Sequence, residues 1–528
     1  MFPIDKTNRV KLQPNFAKNL GILFYILFIM AWGTLSAESE KTQNPMRMED
    51  ILRMSWENQV KTQTLKLQLK TSNYDWEKTN GNYAWNLEAK GLAKNTTNFD
   101  LPQYIIQGTR VTDNTVQAGI NKKFSTGTSL GVSIIDNRYE TNAGKTGNST
   151  ISGFSGFAQP SYHFATVGIN ISQDLLKNFF GYQDRLKLAT ARRSSSIQRL
   201  NTLDSLSKSL VNSLIEFWNL SLAEENLETN TSLLKNAKLI RDIYTKKANY
   251  GFDTTGDIHQ WNSIVLSATS AVKNSELERN KIKRELLTSL GKEPEDNFSF
   301  IPILNEEELI VTDNYETELK EAFEKRYDVR ASLLLLRNSE DNLKSADNGL
   351  LPNFTIGGTY NFKNYDQQFP QDFYGILSGR FNQNTAEFKI DYPLGNEAAE
   401  AEYKKAESNK QQSQIEWIEI QNSVRSDLLS KRENIKVSFE LYLESKKNKT
   451  ESKLFYDKAL SAFKNGKGTS VVLKNAMDAY VRSQSNHSQS LISYNIAIIQ
   501  YEISKGTFFE KYAINPEQIA ILNNEDNQ

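Results

Sequence analysis

Two long spans of this chain contain no proline: Pro160 to Pro294, and Pro393 to Pro516. Away from their ends, the glycines in each span cluster at one place, Gly251 and Gly256 in the first and Gly466 and Gly468 in the second. That punctuation predicts a long helix, a tight turn and a return helix, twice over. The first pair covers 182–250 and 257–290 and ends at Gly291. The second covers 396–465 and 469–505 and ends at Gly506. Both glycines sit where helix C-caps are expected. The long helices have about 69 and 70 residues and would each reach roughly 100 Å, whereas the return helices reach about half as far. Helical segments 48–80 and 315–348 supply the missing length, so each long helix gains a partner made of two helices end to end. In the first return helix Ile258, Trp261, Val265, Ala268 and Val272 step by three and four, the coiled-coil period.

A different period appears between the short and the long helix of each half. Phe354, Ile356, Tyr360 and Phe362 alternate with Asn353, Thr355, Thr359 and Asn361. Ala386, Phe388, Ile390 and Tyr392 alternate with Glu387, Lys389 and Asp391. In the first half Tyr83, Trp85, Leu87 and Ala89, then Val116, Ala118 and Ile120, then Ala165, Val167, Ile169 and Ile171 show the same pattern. Period two over this length fits barrel strands with one lipid face and one lumen face. The first half holds extra residues in 112–160, where Lys123-Phe-Ser-Thr-Gly-Thr-Ser-Leu130 has the look of a hairpin.

Composition decides the setting. Mean hydropathy is -0.56, with 63 basic and 63 acidic residues in 528. Balanced charge removes the electrostatic case for a nucleic-acid partner. Without cysteine there is no disulfide, thiolate metal site or acylated N-terminal cysteine. Lys6, Arg9, Lys11 and Lys18, the apolar run Leu20 to Trp32 and the small residues before Glu38 form a signal peptide over 1–37. The run falls short of the ~20 residues that span a bilayer, which favours cleavage over a retained anchor. No later segment is apolar enough to span as a helix, so any crossing must be a barrel. About four long strands per protomer cannot close alone, since barrels need about eight or more. A dimer and a trimer are both arithmetically open, and twelve strands would leave a pore. The fold class expected is therefore a membrane β-barrel on a coiled-coil helical barrel, with two structural repeats at 38–291 and 315–506.

Several segments carry a resemblance. Leu350-Leu-Pro-Asn-Phe354 enters a strand and Asp391-Tyr-Pro-Leu394 leaves one. Ile171-Ser-Gln-Asp-Leu-Leu176 is the matching exit in the first half. Ala322 with Arg326-Tyr-Asp-Val-Arg330 opens the second repeat. The turns Tyr250-Gly-Phe-Asp-Thr-Thr-Gly-Asp-Ile258 and Phe463-Lys-Asn-Gly-Lys-Gly-Thr-Ser-Val471 follow the long helices. In order and twofold repetition these segments resemble the TolC-like outer-membrane efflux family. The resemblance implies a homotrimer with a shared 12-stranded barrel in outer-membrane lipid and a helical duct across the periplasm. It implies helical tips that dock a periplasmic adaptor (membrane fusion protein), and through it an inner-membrane pump. Segments 292–314 and 507–528 would form an equatorial region. In the best-studied relative of that family the closed aperture is ringed by aspartates; the aligned periplasmic-gate positions here are Val472 and Asn475, so that ring is absent.

No catalytic, cofactor or metal constellation is visible in the sequence. His163, His259 and His487 are far apart, and no glycine loop precedes a Lys-Ser/Thr pair. An enzyme is not expected. The working surfaces are the tips: Gly251, Phe252, Asp253 and Asp257 on the first, Gly466, Lys467 and Gly468 on the second. Asp257 suits the first turn of its helix, either as a cap alone or as a docking residue. A passive duct is the favoured function. A barrel-anchored structural or adhesive coiled coil is the alternative.

Overall fold

The computed structural model describes residues 44–99, 108–143, 145–146, 149–150, 161–251, 255–296, 300–309, 314–376 and 378–516. The segment 1–37 expected to be a signal peptide, Phe252, Asp253 and the tail from 517 lie outside the described residues.

Two 68-residue helices dominate: α4 (Tyr182–Asn249) and α9 (Glu397–Lys464), each about 100 Å long. The return helices α5 (Thr255–Ser289) and α10 (Ser470–Lys505) run back along their distal halves. The halves nearer the sheet are flanked by α1 (Met48–Asn58), α2 (Val60–Thr71) and α3 (Tyr74–Gly81), and by α6 (Tyr315–Lys325) and α7 (Tyr327–Gly349). Helix α7 lies between α4 and α9, and α10 does so beyond it. The result is a layer four helices wide, open along two edges.

The segment expected as one helix over 48–80 is broken, and so is 315–348. Neither break uses glycine or proline. At Gln59 (φ −64, ψ 125) and Arg326 (φ −61, ψ 131) ψ flips out of the helical region by almost the same amount. Gln59 spends its side-chain oxygen on Thr62 Oγ1 at 2.6 Å and Ser209 Oγ at 3.2 Å. Each break rests on the glycine that ends a return helix. A Cβ on Gly291 would meet Val60 at 3.4 Å, and one on Gly506 would meet the Arg326 nitrogen at 2.8 Å. Both glycines have positive φ, +66 and +78.

The core of this middle region is made where the helices are most apolar. Leu206, Leu210, Leu214, Phe217 and Trp218 of α4 are buried against Ile51, Leu52, Leu286, Ile499, Phe508 and Phe509. Asn495 of α10 holds the linker between α5 and α6, donating to the Asn305 carbonyl at 3.0 Å and accepting from its N–H at 2.9 Å. Two carboxylates here are strongly held. Burial opposes the charge of Glu502, but hydrogen bonds from Lys511 and Thr507 outweigh it and keep its carboxyl below the ordinary value. Burial likewise opposes Asp328, and Arg326 outweighs it. A depressed folded pKa contributes stability that is complete above the unfolded values of 4.5 and 3.8 and is lost as pH falls through the lower folded ones. The melting temperature should therefore drop steeply below about pH 4, and Glu502→Gln should flatten part of that drop. Equal melting at pH 7 and pH 3 would contradict this account.

At the other end of α4 stands one antiparallel sheet of six strands, not four. In sequence they are β2 (Asn86–Thr97), β3 (Arg110–Lys123), β4 (Thr128–Thr141), β7 (Tyr162–Asp174), β9 (Asn353–Asp366) and β10 (Phe381–Asp391). Their order across the sheet is β10-β9-β7-β4-β3-β2. Short β1 (Asn44–Met46) pairs in parallel with β8 (Phe300–Pro302), and β5 (Lys145–Thr146) with β6 (Ser149–Thr150). The count of about four strands in one chain is corrected by the β3–β4 hairpin. It is inserted between β2 and β7 and fully paired on both sides. A further helix unread in the sequence, α8 (Phe369–Ile376), packs on β7 and β9 at the distal end of the sheet.

Register sorts the faces without a bulge. Leu87 and Ala89, Ala118 and Ile120, Val132 and Ile134, Val167 and Ile169, Ile356, and Phe388 and Ile390 share one face across all six strands. Glu88, Lys90, Gln117, Asn121, Ser133, Asn170, Thr359, Asn361, Glu387 and Lys389 lie on the other. Many of the apolar residues are exposed, Leu87 at 75% and Phe388 at 76%. An apolar sheet face this wide demands a non-aqueous neighbour. No helix among the described residues is long and apolar enough to cross a membrane.

Sheet and helices are joined at Asp184 in the first turn of α4. Its carboxylate accepts from Tyr83 Oη at 3.0 Å, Lys123 Nζ at 2.8 Å and Asn178 Nδ2 at 2.8 Å. Those partners come from the entry to β2, the end of β3 and the exit from β7.

Candidate functional site: the paired helical tips

The two turns lie side by side at the end of the helices farthest from the sheet. In the first, the Gly251 N–H donates to the Ala248 carbonyl at 2.9 Å, with φ at +86. In the second, the Gly466 N–H donates to the Phe463 carbonyl at 3.0 Å, with φ at +73. Glycine fits both because only it accepts positive φ freely. A Cβ at either would touch nothing, so the constraint is conformational and not one of space. Gly468 is different. A Cβ there would lie 2.9 Å from the Phe463 nitrogen, so it permits close packing of the turn. Thr469 caps α10 by accepting from the Val472 N–H at 3.4 Å.

Beneath the turns is a shared apolar core. Ile240 and Tyr244 of α4, Trp261 and Val265 of α5, Phe463 of α9, and Leu473 and Met477 of α10 are buried together. The rings of Tyr244 and Phe463 are 5.4 Å apart, and Lys247 Nζ stands over both, 5.7 and 5.5 Å from their centroids. Ser470 Oγ donates to Asp257 Oδ1 at 2.9 Å across the two tips. Burial, with the charge of Asp257 beside it, pushes the Tyr244 phenol up, so it stays neutral. Asp257, in the first turn of α5, is thus a clasp between the hairpins. Of the second tip's candidates, Gly466 and Lys467 are exposed. Val472 (46% exposed) and Asn475 also point away from the core. Lys474 is paired with Asp478 at 2.9 Å.

Sequence reasoning placed Trp261 and Val265 on an apolar stripe, but missed Tyr244, Phe463 and Ser470. Their partners come from the other hairpin, more than two hundred residues away for Ser470 and Asp257, where periodicity carries no signal. The three histidines stay apart. His163 Nδ1 lies 2.9 Å from Asp136, His259 is exposed, and His487 stacks on Tyr442 with ring centroids 5.6 Å apart. Among the described residues no group of three or more His, Cys, Asp or Glu is placed to hold a metal ion.

No family model and no curated relative matches the sequence. Solved structures do. The Campylobacter jejuni CmeC outer membrane channel matches with a TM-score of 0.65 at 12% identity, over 92% of this chain and 94% of that one. The open-state Neisseria gonorrhoeae MtrE outer membrane channel matches at 0.60 and 14%, over 87% and 89%. CusC, a protein that forms a transmembrane channel, matches at 0.63 and 12%, over 90% and 95%. The fold is that of these channels. The resemblance to the TolC-like family is a resemblance of whole-chain architecture, since both chains are covered almost end to end while about seven residues in eight differ.

Proposed function

We propose that this chain is a subunit of an outer-membrane channel and periplasmic duct. Three copies would surround one passage and conduct substrates passively, in a tripartite efflux or type I secretion system. An inner-membrane pump delivers the substrates, and the paired tips dock the periplasmic adaptor that connects the two. The observation that carries this reading is the union, in one chain, of an apolar-faced sheet with two open edges and about 100 Å of helix. Neither part is complete alone. Open edges in lipid leave unpaired backbone groups at several kcal/mol each. Helix α9 exposes Ile415, Ile418, Leu429, Leu441 and Leu454 along its free side. A neighbouring copy covers both. The barrel places the sheet in the outer membrane and the helices in the periplasm.

The tips give the test. Gly251→Val with Gly466→Val strains both turns, by roughly 1–2 kcal/mol each for a side chain at positive φ. Nothing else is displaced, since both sites are open. In cells the double variant should lose transport, while the purified variant in planar bilayers still inserts and conducts. Full transport by the double variant would remove the tips from the docking role. A wild-type protein that inserts yet carries no current would replace the duct with an anchored stalk.

A further inference from the structure

The six-stranded sheet changes what three copies would build. We propose that β10 of each copy pairs with β2 of the next to close a barrel of eighteen strands, wide enough at its outer mouth for solutes that twelve strands would exclude. This rests on the trimeric reading above.

The two free edges suit one another. Every adjacent pair in the sheet is antiparallel, so the first and sixth strands run in opposite directions. A β10–β2 junction between copies is then antiparallel like the other five, and a head-to-tail contact of this kind closes by rotation. The edges match in length, 11 residues in β10 and 12 in β2. Such strands are long enough to cross a bilayer when tilted, which takes about 9–11 residues. The faces also continue across the junction. In the antiparallel register that sets Ile390 opposite Leu87, Phe388 faces Ala89 and Ala386 faces Gly91 on the apolar side. The same register sets Glu387 opposite Lys90 and Lys389 opposite Glu88 on the polar side, with opposite charges facing. The helical layer ends on the same two sides. Its free edges are α9, which follows β10, and α1–α3, which precede β2. One rotation therefore closes both layers.

The hairpin cannot be left outside the wall. Strand β4 is paired along its length with β3 on one side and β7 on the other. Val116, Ala118 and Ile120 of β3, and Leu130, Val132 and Ile134 of β4, fill the middle of the apolar face. Removing them would cut the ladder and split that face. Barrel diameter grows roughly linearly with strand number, so eighteen strands give about 1.5 times the width of twelve, in the range that leaves an open aqueous channel. The periplasmic half gains nothing from the insertion, because each copy still contributes four helices to the layer. The widening is confined to the outer mouth.

The test uses the full mature channel in lipid nanodiscs, imaged by electron microscopy to a resolution that separates strands. Three subunits and eighteen strands are expected. Three subunits with twelve strands, and the hairpin displaced from the wall, would overturn the inference and leave the trimer standing. Any other number of subunits would overturn the trimeric reading itself. A second measurement reads width. Polyethylene glycols of graded size, added on the extracellular side of a planar bilayer, lower the current only if they enter the barrel. Replacing residues 110–141 with a short Gly-Ser linker should reduce the largest polymer radius admitted by about a third. An unchanged cut-off would reject the widening. If that variant does not insert, the strand count of the unaltered channel decides.

Discussion

Arg326→Ala should lower the stability of the helical half by about 3 kcal/mol, among the largest losses available from one side chain away from the apolar core. Arg326 sits at the break between α6 and α7, with its side chain 13% exposed. Its guanidinium grips Asp328 with two nitrogens, Nε at 3.1 Å and Nη2 at 2.8 Å. Nη1 reaches Asp427 of α9 at 2.7 Å and the Ser504 carbonyl of α10 at 3.2 Å. One residue therefore ties three helices together at the point where the chain changes direction. Its loss leaves two half-buried carboxylates facing each other without a cation, and breaking such a pair costs more than forming it gains. Arg326→Lys keeps the charge but not the planar fork, so it should fall between. Arg326→Ala with Asp328→Asn should recover part of the loss, because one unpaired charge is gone. Loss of helical signal on heating the purified protein measures all three. An Arg326→Ala protein that melts with the unaltered one would show that water satisfies both aspartates.

The same residue shows where sequence reasoning stops. Arg326-Tyr-Asp-Val-Arg330 stands out as a segment, and Arg326 and Asp328 are two residues apart. Asp427 and Ser504 are 101 and 178 residues further on, and nothing local connects them. The broken helices were illegible for a related reason. A flip of ψ at Gln59 or Arg326 is imposed by packing against Gly291 or Gly506, and both residues are ordinary helix formers. The long helices were legible because proline is missing over their whole length and glycine marks the reversal. The sheet was legible in kind but not in number. In β4, Leu130, Val132 and Ile134 do alternate with Ser129, Gly131 and Ser133, but Ile135 doubles the apolar run. Glycine and serine also weaken the strand signal. At the tips the glycines could be read from sequence and the clasp could not, since Ser470 and Asp257 belong to different hairpins.

The channel should resist block by low concentrations of a trivalent cation on its periplasmic side, and Val472→Asp with Asn475→Asp should create such block. Cation plugging needs several carboxylates held close in a narrow mouth, where their fields add. Two of the described carboxylates near this tip are occupied: Asp257 accepts from Ser470, and Asp478 pairs with Lys474. Val472 and Asn475 lie on the outward face at the start of α10 and do not ionise. Lys464 and Lys467 are exposed nearby and favour a neutral or positive rim. We infer that this mouth closes by apolar contact, with Val472 of three copies at the constriction. The double substitution would place six carboxylates there. Even tenfold tighter cation binding requires only about 1.4 kcal/mol, less than a ring of six charges supplies in a confined mouth. Single-channel currents with the cation on one side, then the other, separate the periplasmic aperture from the outer barrel. Tight block of the unmodified channel from the periplasmic side would place other carboxylates at the mouth. Block of the double variant from the extracellular side alone would place Val472 and Asn475 away from the periplasmic aperture.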